Sequence, residues 1–382
     1  MGKLKLLFRM LIFNVLCPLA FDIFSKKKVN PRLIIFAYNG NYKKMPDNLQ
    51  PLFDKLSEKG MKCMVFGNYT SRLKELLDAI RFQKYYAQSK CVFISDYFQP
   101  VYCHQPRNGS KVVQVWHACG AFKKWGLSTL DKSWGASKKD VNTFPMHNTY
   151  TLVSVSAEEV AGCYSEAFGC KKEVVKALGT PRTDVYFDKS FVEEQRKIIE
   201  KQIPQANGKK IILYAPTFRG NNLINSYMDN MLDIKKLKSA LSDNYILLLK
   251  LHPLTAKGFE LSDGEFVFDI SKTNSIDTAL CCADIVISDY SSLIFEYSLL
   301  TRPMIFFAYD LEEYDRDRSF YYDYRDFVPG KITVNTDEII AEVIRLEDNF
   351  DAETVYNFRK KYMSACDGHS SERLADYAVS DN

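Results

Sequence analysis

Ten short apolar runs, rich in β-branched and aromatic residues, punctuate the chain and restrict it to one class of architecture. They fall at Leu33–Ala37, Met61–Phe66, Cys91–Ile94, Val112–Trp116, Thr151–Val155, Val174–Leu178, Ile211–Ala215, Tyr245–Leu251, Ile285–Ser288 and Met304–Phe307. None alternates with polar residues, so each reads as a strand buried on both faces. Between many of them lie helical stretches, among them Asp47–Lys59, Ser71–Phe82, Ser156–Phe168 and Ser291–Leu300. Such alternation gives an α/β fold of parallel sheets wrapped by helices. At 382 residues the chain is too long for one ordinary core. The runs divide into two Rossmann-like, doubly wound units joined near Asp184–Gln205. We expect an N-terminal domain over 29–185 and a C-terminal domain over 186–382, facing each other across a cleft. The halves also echo each other: Val92-Phe93-Ile94-Ser95-Asp96-Tyr97 resembles Ile285-Val286-Ile287-Ser288-Asp289-Tyr290.

Residues 1–28 stand apart as an apolar, membrane-associating segment. Leu6–Phe24 is mostly apolar, with Lys3 and Lys5 before it and Lys26, Lys27 and Lys28 after it. Arg9, Asn14, Pro18 and Asp22 interrupt it. A charge near the centre of a spanning helix costs about 3 kcal/mol. Basic flanks on an apolar face suit a helix lying in the surface of an anionic leaflet. A buried N-terminal helix of the first domain is the competing reading. The net charge of +4 is too small to argue for nucleic acid. Ten scattered cysteines with no C-x-x-C pair read as small core residues in a reducing cytosol.

In parallel α/β sheets, ligands bind beyond the carboxyl ends of strands. Four such ends carry chemistry. His117 follows Val112–Trp116 and could take a proton from an attacking hydroxyl. Pro216-Thr217-Phe218-Arg219 follows Ile211–Ala215, and an arginine there could hold two phosphate oxygens in one plane. His252-Pro253 follows Tyr245–Leu251, where a histidine could donate to a phosphate or leaving group. Asp289-Tyr290-Ser291-Ser292 precedes a helix whose start offers free N–H groups to a phosphate, with Ser291 as its N-cap. Position alone leaves structural roles open for each: a loop-satisfied histidine, a salt-bridged arginine, a plain helix cap. No P-loop or H-E-x-x-H motif occurs, and the D-x-D spacing at Asp315-Arg316-Asp317 lies in a charge-rich loop where chance accounts for it. No cofactor or metal is expected.

Together these segments resemble the CDP-glycerol:poly(glycerophosphate) glycerophosphotransferases of teichoic acid synthesis. The carrying motifs are Val113-Gln114-Val115-Trp116-His117, Tyr214-Ala215-Pro216-Thr217-Phe218-Arg219, Leu249-Lys250-Leu251-His252-Pro253, and the run from Ala283 through Asp289-Tyr290-Ser291-Ser292 to Tyr309-Asp310 and Asp326-Phe327-Val328-Pro329-Gly330. Leu178-Gly179-Thr180-Pro181-Arg182-Thr183-Asp184 is similar to the family's G-x-P-R-x-D segment. The resemblance implies a GT-B-like pair of domains. It makes His117 and His252 the catalytic candidates. It makes Pro216, Thr217, Arg219, Asp289, Ser291 and Ser292 donor-binding, with Arg182 and Asp184 as further candidates. The implied partners are CDP-glycerol or CDP-ribitol, a polyprenyl-diphosphate-linked glycan acceptor and an anionic membrane surface. The implied place is the cytoplasmic face of the cell membrane, held peripherally. The expected reaction moves glycerol phosphate, or a similar alditol phosphate, to an acceptor hydroxyl with release of CMP. A GT-B glycosyltransferase using a nucleotide-sugar is the alternative, and a catalytically silent binding protein a more distant one. The chain departs from the family pattern at Ala118-Cys119, where the family has glycine after W-H, and at Arg318-Ser319, where it often has R-G.

Overall fold

The computed structural model describes residues 3–39, 44–67, 72–132, 134–217, 219, 231–251 and 262–381. Two compact units form. The first comprises 1–119, 125–184 and 364–382, and the second 120–124 and 185–363.

The first unit holds strands β1 (Asn30–Ala37), β2 (Lys62–Phe66), β3 (Ser89–Ile94), β4 (Lys111–Gln114), β5 (Leu152–Ser154) and β6 (Val175–Lys176). They form one sheet in the order β2-β1-β3-β4-β5-β6, every pairing parallel. The second unit holds β7 (Lys210–Ala215), β8 (Tyr245–Leu249), β9 (Val267–Asp269), β10 (Ile285–Ser288), β11 (Met304–Phe307) and β12 (Lys331–Thr333). Its order is β12-β11-β10-β7-β8-β9, again all parallel. Counted within the unit, that is the 3-2-1-4-5-6 order of dinucleotide-binding folds. Strand order reverses between β1 and β3 in one sheet and between β7 and β10 in the other. Those are the points where ligands of such folds bind.

The partition differs from the expected 186–382 domain at its end. The helix Ser370–Val379 packs on the first sheet, where Leu374, Ala375 and Ala378 are fully buried beside Ile34, Phe36, Phe93 and Val113. The physical reason lies in the G-x-P-R-x-D segment. Asp184 accepts the backbone N–H of Ser370 (3.0 Å) and of Ser371 (2.8 Å), satisfying the open amides of that helix start. Gly179, at φ +89°, lies where a Cβ would come within 2.4 Å of the Ala365 carbonyl oxygen. Asp184 therefore caps a helix.

Residues 120–124, by contrast, belong to the second unit. Phe122 stacks on Phe320 and Phe327, at centroid distances of 4.9 and 5.0 Å. Lys124 N–H donates to the Ser319 carbonyl (3.0 Å), and Tyr321 N–H to that of Phe122 (2.9 Å). Gly120 is at φ +62°, with the Phe295 ring 2.3 Å from where a Cβ would lie. Ser319 sits at φ +57°, a conformation that a glycine, as in the family's R-G pair, adopts without strain.

The N-terminal segment folds as a helix, α-helical over Lys3–Leu11 and Cys17–Ser25 with a π-type turn at Ile12–Leu16. Leu4–Ser25 is long and apolar enough to cross a membrane, by length and composition. Its polar interruptions face the protein. The Arg9 guanidinium lies over the Phe144 ring at 4.7 Å, Asn14 donates to the Thr143 carbonyl (3.0 Å), and Asp22 lies 3.2 Å from His104 Nε2. Ile12, Phe13, Cys17 and Phe21 are buried. The outward face carries Leu4, Leu7, Phe8, Leu11, Val15, Leu19 and Ile23, all exposed. The inward face is thus that of a helix packed on the first unit.

Candidate active site

In the second unit, the β7 and β10 strand ends are locked together. Asp289 is only 2% exposed. Its Oδ1 accepts the N–H of Thr217 (2.8 Å) and of Tyr290 (2.6 Å), and its Oδ2 accepts Arg219 Nη1 (2.8 Å). Arg219 also donates to both oxygens of Asp310, from Nε at 2.6 Å and Nη2 at 3.0 Å, and to the Thr217 carbonyl at 2.7 Å. The rings of Tyr290, Tyr309 and Tyr314 enclose its guanidinium at 5.1 to 5.4 Å. Burial works against its charge, but Asp289 and Asp310 outweigh that and hold Arg219 above the ordinary guanidinium range. Burial pushes the Tyr290 hydroxyl up as well, helped by Asp310, to which it donates at 2.8 Å. Tyr324 ties in from below, its hydroxyl donating to the Asp289 carbonyl (3.0 Å).

This geometry gives both Arg219 and Asp289 protein partners. Four of the five guanidinium N–H groups are taken by protein acceptors, so Arg219 is a strut between two carboxylates. Asp289 likewise braces the loop, and Pro216 and Thr217 form the stretch that it braces. The helix after β10 spans Leu293–Ser298, and Ser292, not Ser291, occupies its N-cap without a capping hydrogen bond. Ser291 Oγ is 3.5 Å from Leu293 N, a long contact. Both serines are half-buried on a braced turn. Asp310, 91 residues from Arg219, was not singled out as a site residue by the sequence reading. His252 and Pro253 lie outside the described residues. Just before them, Lys250 Nζ donates to the carbonyls of Ser271 (3.1 Å) and Asn274 (2.5 Å), and burial lowers its pKa.

In the first unit, β4 ends at Gln114, and the chain turns sharply at Trp116, whose φ of +52° is uncommon for a bulky residue. Two contacts hold that turn: Asn48 Nδ2 donates to the Trp116 carbonyl, and Gln114 Oε1 accepts the Trp116 N–H (2.9 Å). His117 emerges half-exposed, its ring 4.1 Å from that of Trp116. Its Nδ1 is 3.8 Å from Asp96 Oδ2. Protein packed around the ring lowers its pKa by desolvation. Asp96 and the Ser95 carbonyl oppose that fall, and Arg182 adds to it. A lowered pKa favours the neutral ring, the form that can accept a proton. Arg182 Nη1 lies 3.4 Å from the His117 carbonyl. Asp96 occupies the same place in the first Ile-Ser-Asp-Tyr as Asp289 does in the second, a signal in the sequence that points to it as a site residue.

Comparison with known proteins bears on both units. A family model described as CDP-glycerol:poly(glycerophosphate) glycerophosphotransferase matches residues 19–380. The teichoic acid poly(ribitol-phosphate) polymerase of Bacillus spizizenii is 36% identical over 94% of this chain and 58% of its own length. The teichoic acid ribitol-phosphate primase of the same organism is 37% identical over 77% of this chain and 76% of the primase. The teichoic acid glycerol-phosphate primase of Bacillus subtilis is 31% identical over 76% and 73%. This chain thus spans little more than half of the polymerase. The structure of the wall teichoic acid polymerase TagF matches with a TM-score of 0.77 over 99% of this chain and 98% of that one, at 21% identity. The likeness is one of fold, and that fold is GT-B-like.

Proposed function

The chain belongs to the CDP-glycerol:poly(glycerophosphate) glycerophosphotransferase family, and from that premise we propose that it transfers an alditol phosphate from a CDP-linked donor to a hydroxyl of a polyprenyl-diphosphate-linked glycan. The acceptor oxygen attacks the phosphorus that bears the alditol, the bond from that phosphorus to the CMP oxygen breaks, and CMP leaves. Such steps depend on positioning and charge stabilisation more than on covalent chemistry with protein. His117 accepts the hydroxyl proton. The observation that carries the reading is a half-exposed imidazole beyond β4, with Asp96 Oδ2 3.8 Å from its Nδ1. The donor's diphosphate is assigned to the second unit. Ser291 and Ser292 are its hydroxyl contacts, on a turn that Asp289, Arg219 and Asp310 hold rigid, and His252 is assigned to the leaving phosphate. Ribitol-type relatives at 36 and 37% identity, against 31% for the glycerol-phosphate primase and 34% over a shorter stretch for a glycerol-phosphate transferase, support CDP-ribitol ahead of CDP-glycerol as donor.

The apolar outward face of Leu4–Ser25 supports a peripheral seat on the cytoplasmic leaflet, its other face being occupied by the protein. Side chains of this kind contribute about 1.5–3 kcal/mol each when fully buried. Flotation with anionic vesicles tests this, and protein remaining at the bottom of the gradient would refute it.

The reaction is tested with a lipid-linked disaccharide acceptor and a panel of CDP-ribitol, CDP-glycerol and UDP-sugars, products being read by mass spectrometry. A mass gain of ribitol phosphate with CMP release is expected, and transfer of a sugar alone would overturn the proposal. His117→Ala should lower turnover by about 10²–10⁴ with donor affinity unchanged. Turnover within a few-fold of the parent would remove His117 as the base.

A further inference from the structure

Ile-Ser-Asp-Tyr occurs at 94–97 and again at 287–290, after β3 and β10, each strand lying at the switch point of its sheet. The two turns are built alike. The serine is buried in both. The aspartate Oδ1 accepts the N–H of the following tyrosine, at 2.7 Å in the first unit and 2.6 Å in the second. That fixes the carboxylate and leaves Oδ2 facing the loop after a neighbouring strand. In the second unit Oδ2 takes Arg219, from the β7 loop. In the first it faces Nδ1 of His117, from the β4 loop, at 3.8 Å. One turn design thus presents a carboxylate oxygen to a guanidinium in one sheet and to an imidazole in the other.

We infer that Asp96 is the positioning residue of His117, drawing Nδ1 toward its carboxylate and leaving Nε2 to take the proton of the acceptor hydroxyl. Gln114 holds the pair in register. Its side chain is fully buried. Its Nε2 donates to the Asp96 carbonyl (3.3 Å) and lies 3.0 Å from the Tyr150 hydroxyl, while its Oε1 accepts the Trp116 N–H. The loops on both sides of the Asp96–His117 gap therefore hang from one amide. The separation is 3.8 Å, and catalytic hydrogen bonds that are long outside the Michaelis complex tighten within it. The charged groups facing His117 are Asp96 on the β3 loop and Arg182 on the Pro181–Phe187 turn, and they act in opposite senses.

The inference rests on the proposed role of His117 as base, and the test separates the two. Asp96→Asn, Arg182→Gln and His117→Ala are assayed with CDP-ribitol and lipid-linked acceptor across pH, with donor Kd from calorimetry. Asp96 is partly exposed, and circular dichroism confirms that the variant is folded. Asp96→Asn is expected to lower kcat by up to about 100-fold, to leave donor Kd unchanged and to move the acid limb of kcat/KM to lower pH. Arg182→Gln should move that limb to higher pH. Asp96→Glu, which restores the charge, should recover part of kcat and return the limb. If His117→Ala abolishes turnover while Asp96→Asn keeps kcat within twofold and the limb in place, the positioning role is overturned and the base survives. If His117→Ala retains turnover, the base reading fails and takes this inference with it.

Discussion

Arg219→Met separates two roles for an arginine at a strand end: gripping a ligand phosphate, or bracing the protein. The methionine keeps much of the volume and removes the charge. Asp289 and Asp310 are then left without their cation, with side chains 3% and 19% exposed. Removing one partner of a buried ion pair typically costs about 3–5 kcal/mol, because the stranded charge is expensive. The amides of Thr217 and Tyr290 still serve Asp289, and the Tyr290 hydroxyl still serves Asp310, which keeps the loss inside that range. With a urea m-value of about 2–3 kcal/mol/M, the midpoint falls by about 1–2.5 M. Trp116, Trp125 and Trp134, the three tryptophans of the chain, all lie in the first unit. Tryptophan fluorescence therefore follows that unit, and far-ultraviolet circular dichroism follows both. The variant should show an early dichroism transition that fluorescence lags. A dichroism midpoint unmoved within about 0.3 M, small against that shift, together with a tenfold loss of CDP-ribitol affinity, would refute the bracing role.

Two further outcomes follow from the first unit. Burial pushes His147 down to about 4 from 6.5, so the unfolded chain binds a proton more readily than the folded one. The associated stability, about 3 kcal/mol, is present above pH 6.5 and is lost as pH falls toward 4. His147→Asn, which tolerates the φ of +60° there, should flatten that part of the fluorescence-monitored stability profile, and an unchanged slope would contradict the assignment. Asp184→Ala removes the acceptor for two helix-start amides and should cost about 0.5–2 kcal/mol, seen as faster proteolytic release of residues 364–381. Equal cleavage rates in variant and parent would count against it.

The ten apolar runs mark ten of the twelve strands, since a strand buried on both faces needs side chains of one kind; the edge strand β2, with Lys62 and Val65 exposed, carries such a run without being buried on both faces. The remaining two, Val267–Asp269 and Lys331–Thr333, are three residues long and carry no such run. His117, Arg219 and Asp289 could be singled out because each follows a strand end. Their partners Asp96 and Asp310 also follow strand ends, of β3 and β11, but which side chains pair is not legible locally. Arg219 meets Asp310 across 91 residues, and nothing local distinguishes a phosphate-facing arginine from one enclosed by two carboxylates and three tyrosines. The helical stretch expected over Ser156–Phe168 opens instead with a 3-10 turn at Glu158–Val160, and its α-helix starts at Ala161. Asp96 was within reach, since the repeated Ile-Ser-Asp-Tyr was visible in the sequence and asked for equivalent duties at both copies.

The return of Ser370–Val379 to the first sheet has a consequence for synthesis. Asp184 leaves the ribosome 186 residues before its partner Ser370. At about 5–20 residues per second that is a wait of about 10–40 s, during which the face made by Ile34, Phe36, Phe93 and Val113 has the cover of Leu52 and Leu56 but not yet that of Leu374, Ala375 and Ala378. The nascent chain passes that interval with this face only partly covered. Folding of the earlier unit is then gated by the arrival of a late segment rather than by the order in which its own strands emerge.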